Sequence, residues 1–213
     1  MIKAPGASDW REARRRSARR AIVDAAWALV HEEGLSGLSL RDLARRAGIT
    51  MPTVYAYFDS KHAIYDAMFG RAATEFAERM TQPFDEADPS ALLVSSVRRF
   101  VEFCTSDVPR YQLLFQRTIP DFEPSAESYA PAVRALDAAR ECLALNGVTQ
   151  PRHLDLWTAL LSGLVDQQVS NDPGGDRWTR LIGEAVTMFL AHSRSAPAAR
   201  TSRSKSPTRG VPK

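Results

Sequence analysis

Residues 37–58 constrain the fold more than any other stretch, because two short apolar stripes with helical spacing follow each other there almost without a gap. Ser39 precedes Leu40, Leu43, Ala44 and Ala47, an i, i+3, i+4, i+7 series that makes one face of a helix, and Asp42 gives the start the pattern of a capping box. Gly48 ends that helix. After Ile49 comes Thr50 as a second N-cap, and Pro52 falls in the first turn of the next helix, where its missing N–H has no bond to lose. Val54 and Phe58 are four apart and face inward. A helix of about seven residues, a turn closed by glycine and a second short helix make a helix-turn-helix, whose second helix can enter the DNA major groove.

The residues left outside after that packing decide what the unit can touch. They are Met51, Pro52, Thr53, Tyr55 and Tyr57, with Lys61 the next positive charge. A threonine offers a hydroxyl and a methyl to base edges, while tyrosine hydroxyls and a lysine ammonium reach phosphate oxygens. For the two tyrosines a second reading stays open, in which they pack beneath the first helix and Lys61 is a solvated cap.

The sequence around this unit resembles the TetR/AcrR family of bacterial transcriptional regulators. A long helix ending in Glu32-Glu33-Gly34 is followed by Ser39-Leu40-Arg41-Asp42-Leu43-Ala44, then Gly48-Ile49-Thr50, then Thr53-Val54-Tyr55-Ala56-Tyr57-Phe58, then Ser60-Lys61, similar to the family's signature over residues 18–68. The resemblance implies that Arg41, Met51, Pro52 and Thr53 face base edges and that Ser39, Thr50, Tyr55, Tyr57 and Lys61 approach the DNA backbone. Ala56 departs from the pattern, since many relatives carry a larger side chain there, and any contact from that position is absent here.

Charge is distributed unevenly. Residues 1–80 hold 13 basic and 10 acidic side chains, residues 81–193 hold 9 and 15, and residues 194–213 hold 6 and none. An acidic middle with basic ends orients a molecule over a polyanion with the helix-turn-helix foremost. No apolar run approaches the ~20 residues a membrane span needs and no signal peptide is legible, so a cytosolic protein without a membrane partner is expected. Cys104 and Cys142 lie far apart with no metal-binding spacing; buried apolar thiols are the plainer reading and a redox sensor the sharper one. His31, His62, His153 and His192 are scattered, and Asp172-Pro173-Gly174-Gly175 lacks the Lys and Ser/Thr of a phosphate cradle, so no enzyme, metal or cofactor is expected.

Taken in order, the chain reads as all-α with about nine helices: a basic arm over 1–17, partly disordered, a three-helix DNA-binding domain over 18–62, a helical ligand-binding and dimerisation domain over 63–193, and a disordered basic tail over 194–213. Arg11, Arg14, Arg15, Arg16, Arg19 and Arg20 either follow the DNA backbone or only begin a solvated helix. Helices are expected over 60–80, 90–105, a short one after Pro109, 125–146, 151–170 and 176–192.

The last helix carries Trp178, Leu181, Ile182, Ala185 and Phe189 on one stripe, and its partner carries Leu154, Trp157, Leu161 and Leu164. Two such helices from each of two subunits would form a four-helix bundle, as the family does; packing on their own domain is the other reading. A dimer would match a palindromic double-stranded operator. Phe76, Phe100, Phe103, Cys104, Tyr111, Leu114, Phe115, Leu160 and Leu164 are either core or, as the resemblance implies, the wall of an effector pocket, with Gln112, Asp166 and Gln167 as further polar anchors. Such a wall suits a small, mostly apolar molecule whose binding releases a repressor from DNA. A nucleoid-type DNA-binding protein without a ligand is the alternative.

Overall fold

Short polar side chains open most of the helices, and each does so by accepting the backbone N–H three residues on. Ser39, Thr50, Ser60, Asp88, Asp107 and Ser125 all act in this way. Each cap satisfies an otherwise orphaned donor and contributes about 1 kcal/mol. The structure, a computed structural model, describes residues 7–195. Among these residues there are nine α-helices and no strand: α1 (Ala7–Glu33), α2 (Leu40–Arg46), α3 (Met51–Tyr57), α4 (Lys61–Met80), α5 (Pro89–Thr105), α6 (Val108–Phe115), α7 (Ala126–Leu145), α8 (Pro151–Asn171) and α9 (Ile182–Ser195). No described helix is long and apolar enough to cross a membrane. The expectations for residues 1–6 and for nearly all of the 194–213 tail lie outside the described residues.

Two hydrophobic cores divide the chain, and the division falls inside α4. Ile22, Leu29, Leu43, Val54, Phe58 and Met68 belong to the first, which α4 joins through residues up to Ala73. From Phe76 onward α4 belongs to the second core, with Leu93, Val97, Trp157, Val186 and Phe189. One rigid helix therefore carries the head at one end and enters the body at the other. Gly70 lets α7 lie close along α4, since a Cβ there would come within 2.9 Å of Ser128 Oγ. Asp66 fixes the register of that pair by accepting from the Ser125 N–H at 2.6 Å and from the hydroxyls of Ser125 and Ser128, both at 2.9 Å.

The arginine cluster of the 1–17 arm runs without a break into α1, whose opening turns begin at Ala7. At the other end α9 begins at Ile182, not near residue 176. The buried side chain of Gln168 holds the N–H groups of Trp178 and Thr179 on its carbonyl oxygen at 2.9 and 3.2 Å, while its amide donates to the Gly175 carbonyl at 3.1 Å. That backbone is tied to α8, and only a 3-10 turn, Thr179–Leu181, precedes α9.

Candidate nucleic-acid interface and the cavity behind it

The reading head is held from below. Val54 and Phe58 are 0% and 2% exposed, so α3 has one fixed rotation on its support. Thr50 Oγ1 accepts the Thr53 N–H at 3.4 Å and lies 2.8 Å from Thr53 Oγ1. The two hydroxyls thus form one unit on the outer surface, in which one proton is shared inward and the other is offered outward. Pro52, Tyr55 and Arg41 are exposed, Met51 and Thr53 half-exposed. Of the tyrosines, Tyr55 stands out at 52% exposure whereas Tyr57 packs partly against the head's core. Lys61 begins α4 with its ammonium 5.5 Å from the Tyr65 ring. Ser39 is half-buried, its hydroxyl accepting the Asp42 N–H at 3.4 Å.

One arginine of the basic cluster turns inward. Arg19 donates to the Tyr57 carbonyl at the end of α3 and lies 4.2 Å over the Phe58 ring. It clamps the C-terminus of the reading helix, where cations are favoured by the helix dipole. Arg16 pairs at 2.6 Å with Glu12 on the surface. On α2, Arg45 pairs with Asp42 and Arg46 with Glu32 of α1, and Arg41 stands exposed in the first turn of the helix.

Behind the head the body encloses an apolar cavity of about 300 Å³ between α4, α5, α6, α7 and α8. Phe76, Phe100, Leu114 and Phe115 line it as expected, and their rings form an edge-to-face cluster, Phe76 to Phe115 at 5.3 Å and Phe100 to Phe115 at 5.6 Å. The other expected residues do not line it. Phe103, Cys104 and Tyr111 are buried in the core to one side, Leu160 and Leu164 pack against that core, and Gln167 is exposed on α8. Tyr111 instead donates to Asp166 at 2.7 Å, and Gln116 donates to the same oxygen at 2.7 Å, tying α6 to α8; burial above all keeps the Tyr111 phenol protonated. Burial likewise pushes the Cys104 thiol up, out of reach of redox chemistry at neutral pH. Missed in the sequence was the α7 wall, Ala132, Ala135, Leu136, Ala139 and Cys142. Its signal was present as a helical stripe of alanines where a filled core would carry leucine.

The stripe expected at a dimer interface is largely covered within its own chain. Leu154, Trp157, Leu161, Ile182, Ala185 and Phe189 are all at most 9% exposed within their own chain. Trp157 and Phe189 meet with ring centroids 4.7 Å apart, and Trp157 and Leu161 also line the cavity. Trp178 and Leu181 precede α9 and are half-buried. Within the chain α9 packs against α5 and α8, and that packing accounts for the burial of the stripe. Outward on α8 and α9 stand Leu156 at 44% and Met188 at 60% exposure, with Ala159, Gly163 and Ala191.

The described residues thus form a helix-turn-helix head joined by one helix to an all-helical body with an apolar cavity. Residues 22–68 match the tetR family of bacterial regulatory proteins. The chain is 33% identical over 110 residues, 51% of itself and 54% of the relative, to an uncharacterised HTH-type transcriptional regulator of Haemophilus influenzae, so this match spans about half of that relative's length. It is 25% identical over 162 residues, 73% of itself and 69% of the relative, to the class A tetracycline repressor protein of transposon 1721 from Escherichia coli. A tetR-family transcriptional regulator from Streptomyces coelicolor shares the fold with a TM-score of 0.65 at 23% identity, over 83% of this chain and 80% of that one. Residues 22–68 thus carry a DNA-binding domain of the tetR family, and the chain as a whole is similar in fold to such a regulator.

Proposed function

We propose that this protein is a homodimeric, sequence-specific DNA-binding regulator, a repressor that leaves its operator when a small, mostly apolar molecule fills the cavity. The observation that carries this is the α3 surface, where Thr53, Pro52 and Tyr55 are presented outward, with Met51 at the edge of the head's core, on a helix clamped at both ends by Thr50 and Arg19. In this reading Arg41, Met51, Pro52 and Thr53 meet base edges, while Ser39, Thr50, Tyr55, Tyr57 and Lys61 position the backbone. The working division is a DNA-binding head over 18–62 and an effector and dimerisation body over 63–193, and the outer face of α8 and α9 around Leu156, Gly163 and Met188 is where two copies pair. One reading helix covers few base pairs, so two half-sites about 34–36 Å apart supply affinity and register.

The cavity walls reach the head directly. On α6, Leu114 and Phe115 line the cavity, Leu113 between α6's polar and cavity faces is part of the head's core, and the Asp107 carboxylate meets His31 of α1 at 3.0 Å. On α7, Tyr129 and Ala132 line it while Ser125 and Ser128 hold Asp66 of α4. A ligand that prefers a different setting of α6 or α7 moves α1 and α4 with it. DNA affinity then falls by the differential binding free energy, typically ~1–3 kcal/mol.

Selection of bound duplexes from a random pool, at near-physiological salt, tests the reading. Enrichment of a palindrome is the expected result. Tight binding with no shared sequence would instead make this an architectural DNA-binding protein.

A further inference from the structure

Beside the apolar cavity lies a second one of about 240 Å³, beneath the chain that joins α6 to α7. The two share Leu114, Phe115 and Tyr129 as a common wall, and two of these are open to solvent, Phe115 at 39% and Tyr129 at 50%. Their chemistry differs. Among the described residues no charged side chain lines the first, and two of its hydroxyls are spent on their own helices, Ser96 donating to the Leu93 carbonyl at 2.8 Å and Thr158 to the Asp155 carbonyl at 2.9 Å. The second is lined by Gln116 and Arg117 among apolar residues, and Arg117 is the one charged side chain among the described residues that lines either cavity. Its guanidinium pairs with Glu123 at 3.2 Å, but both side chains are in solvent, 87% and 75% exposed. An ion pair so exposed is weak, and a ligand acid can take the guanidinium from it.

We propose that the effector is an anionic amphiphile lying across both cavities, its hydrocarbon body in the first and its acid group beside Arg117 in the second. This rests on the reading that the cavity receives the effector, and adds to it the chemical class and the placing of the head. The apolar cavity rewards hydrocarbon and gives a charge no partner, so the acid must leave it. The shared wall of Leu114, Phe115 and Tyr129 is the place of crossing, and Arg117 is the cation waiting beyond it.

The test is calorimetric titration of the full chain with decanoate and decanol, which share a body and differ in the head. Decanoate is expected to bind up to about fivefold more tightly, the worth of one contact to an exposed guanidinium. Arg117→Gln removes that advantage and leaves decanol unchanged; Glu123→Gln, which frees the guanidinium, increases it. Arg134→Gln, the same charge change at an exposed site on α7 away from both cavities, alters neither probe. Ala139→Phe, checked for folding by circular dichroism, fills the apolar cavity and weakens both probes. Equal binding of the two probes, an advantage that survives Arg117→Gln, or no binding of either overturns the assignment. The duplex selection described above reports on DNA recognition independently, so failure here is distinct from failure of the regulator reading.

Discussion

The head and the body are made of similar helices, yet they are finished differently. In the head, Val30, Leu43, Val54 and Ile64 are buried to 0% exposure, the caps of α2 and α3 are both filled, and Tyr65 spends its hydroxyl on the Leu35 carbonyl. In the body a cavity of about 300 Å³ stays open, and three buried nitrogens among the described residues, Arg110 Nε, His153 Nε2 and Trp178 Nε1, have no hydrogen-bond partner. A surface that must meet base edges in register needs its reading helix fixed, since a misplaced contact is a lost one. A wall of small residues leaves space at a cost in packing. The same chain thus fills the core at one end of α4 and leaves a cavity at the other.

Substitution of Phe189 separates the body's own packing from any pairing of subunits. Phe189→Asp places an unpaired charge against Trp157, and the expected result is an unfolded body, a loss above ~4 kcal/mol seen as lost helicity. Met188→Asp, one residue along and 60% exposed, is expected to stay folded and to sediment as a monomer. A folded, monomeric Phe189→Asp protein would restore the interface that the sequence suggested.

Cutting the same leucine back to alanine on either side of the divide measures the contrast directly. Leu43→Ala in the head should lower stability by ~2–5 kcal/mol, because it opens a cavity in a filled core. Leu136→Ala, on a wall that already faces empty space, should cost about 1 kcal/mol or less, since fewer packing contacts are forfeited. Urea unfolding of both variants decides it; equal losses would mean that the body is packed as tightly as the head.

The head was legible in sequence because its signals are local. Ser39, Gly48, Thr50, Pro52 and the Val54–Phe58 spacing each act within about one or two helical turns, and each recurs in the structure as the cap, turn or buried pair it implied. The pocket depends on residues far apart in the chain, such as Asp66 with Ser125 and Tyr111 with Asp166, and no periodicity reports which apolar stripe meets which. Hence Phe76, Phe100, Leu114 and Phe115 line the cavity, while Phe103 and Leu160 belong to the core beside it. The stripe on α9 is apolar as read and is covered largely by its own chain, and width alone does not distinguish such a neighbour from a second copy. Gln168 gave no sign at all: a buried glutamine that caps a turn looks in sequence like any polar residue of a helix.

Within the head, base and backbone contacts separate by their dependence on sequence. Thr53→Ala should cost ~1–3 kcal/mol on the operator and relax preference at one base pair, with little change on random DNA. Lys61→Ala should weaken operator and random duplex alike and reduce the salt slope by about 1, read from binding isotherms across a salt series. Unequal losses for Lys61→Ala would remove it from the backbone contacts, and a uniform loss for Thr53→Ala would reduce the threonine pair to a cap.

The smallest effect lies at the far end of the body and depends on pH. His153 of α8 is 3% exposed, its Nε2 has no partner, and it faces Phe189 and His192 of α9 at ring distances of 6.4 and 6.3 Å. Burial, with Arg152 and His192 adding to it, holds its pKa below the ordinary histidine value. The folded chain therefore keeps the ring neutral where the unfolded chain, titrating near 6.5, has begun to take up a proton. More protons bound in the unfolded state means that stability rises with pH. The contribution is fully present above the unfolded pKa and is lost as pH falls through it toward the lower folded value. Urea midpoints measured between about pH 8 and pH 5 should fall on the acid side for the native chain and fall less for His153→Gln, whose amide takes no proton. The head contains no buried histidine of this kind, so operator affinity per folded molecule should not follow the same curve; if it did, the α8–α9 pair would be coupled to α3 more tightly than through α6 and α7 alone.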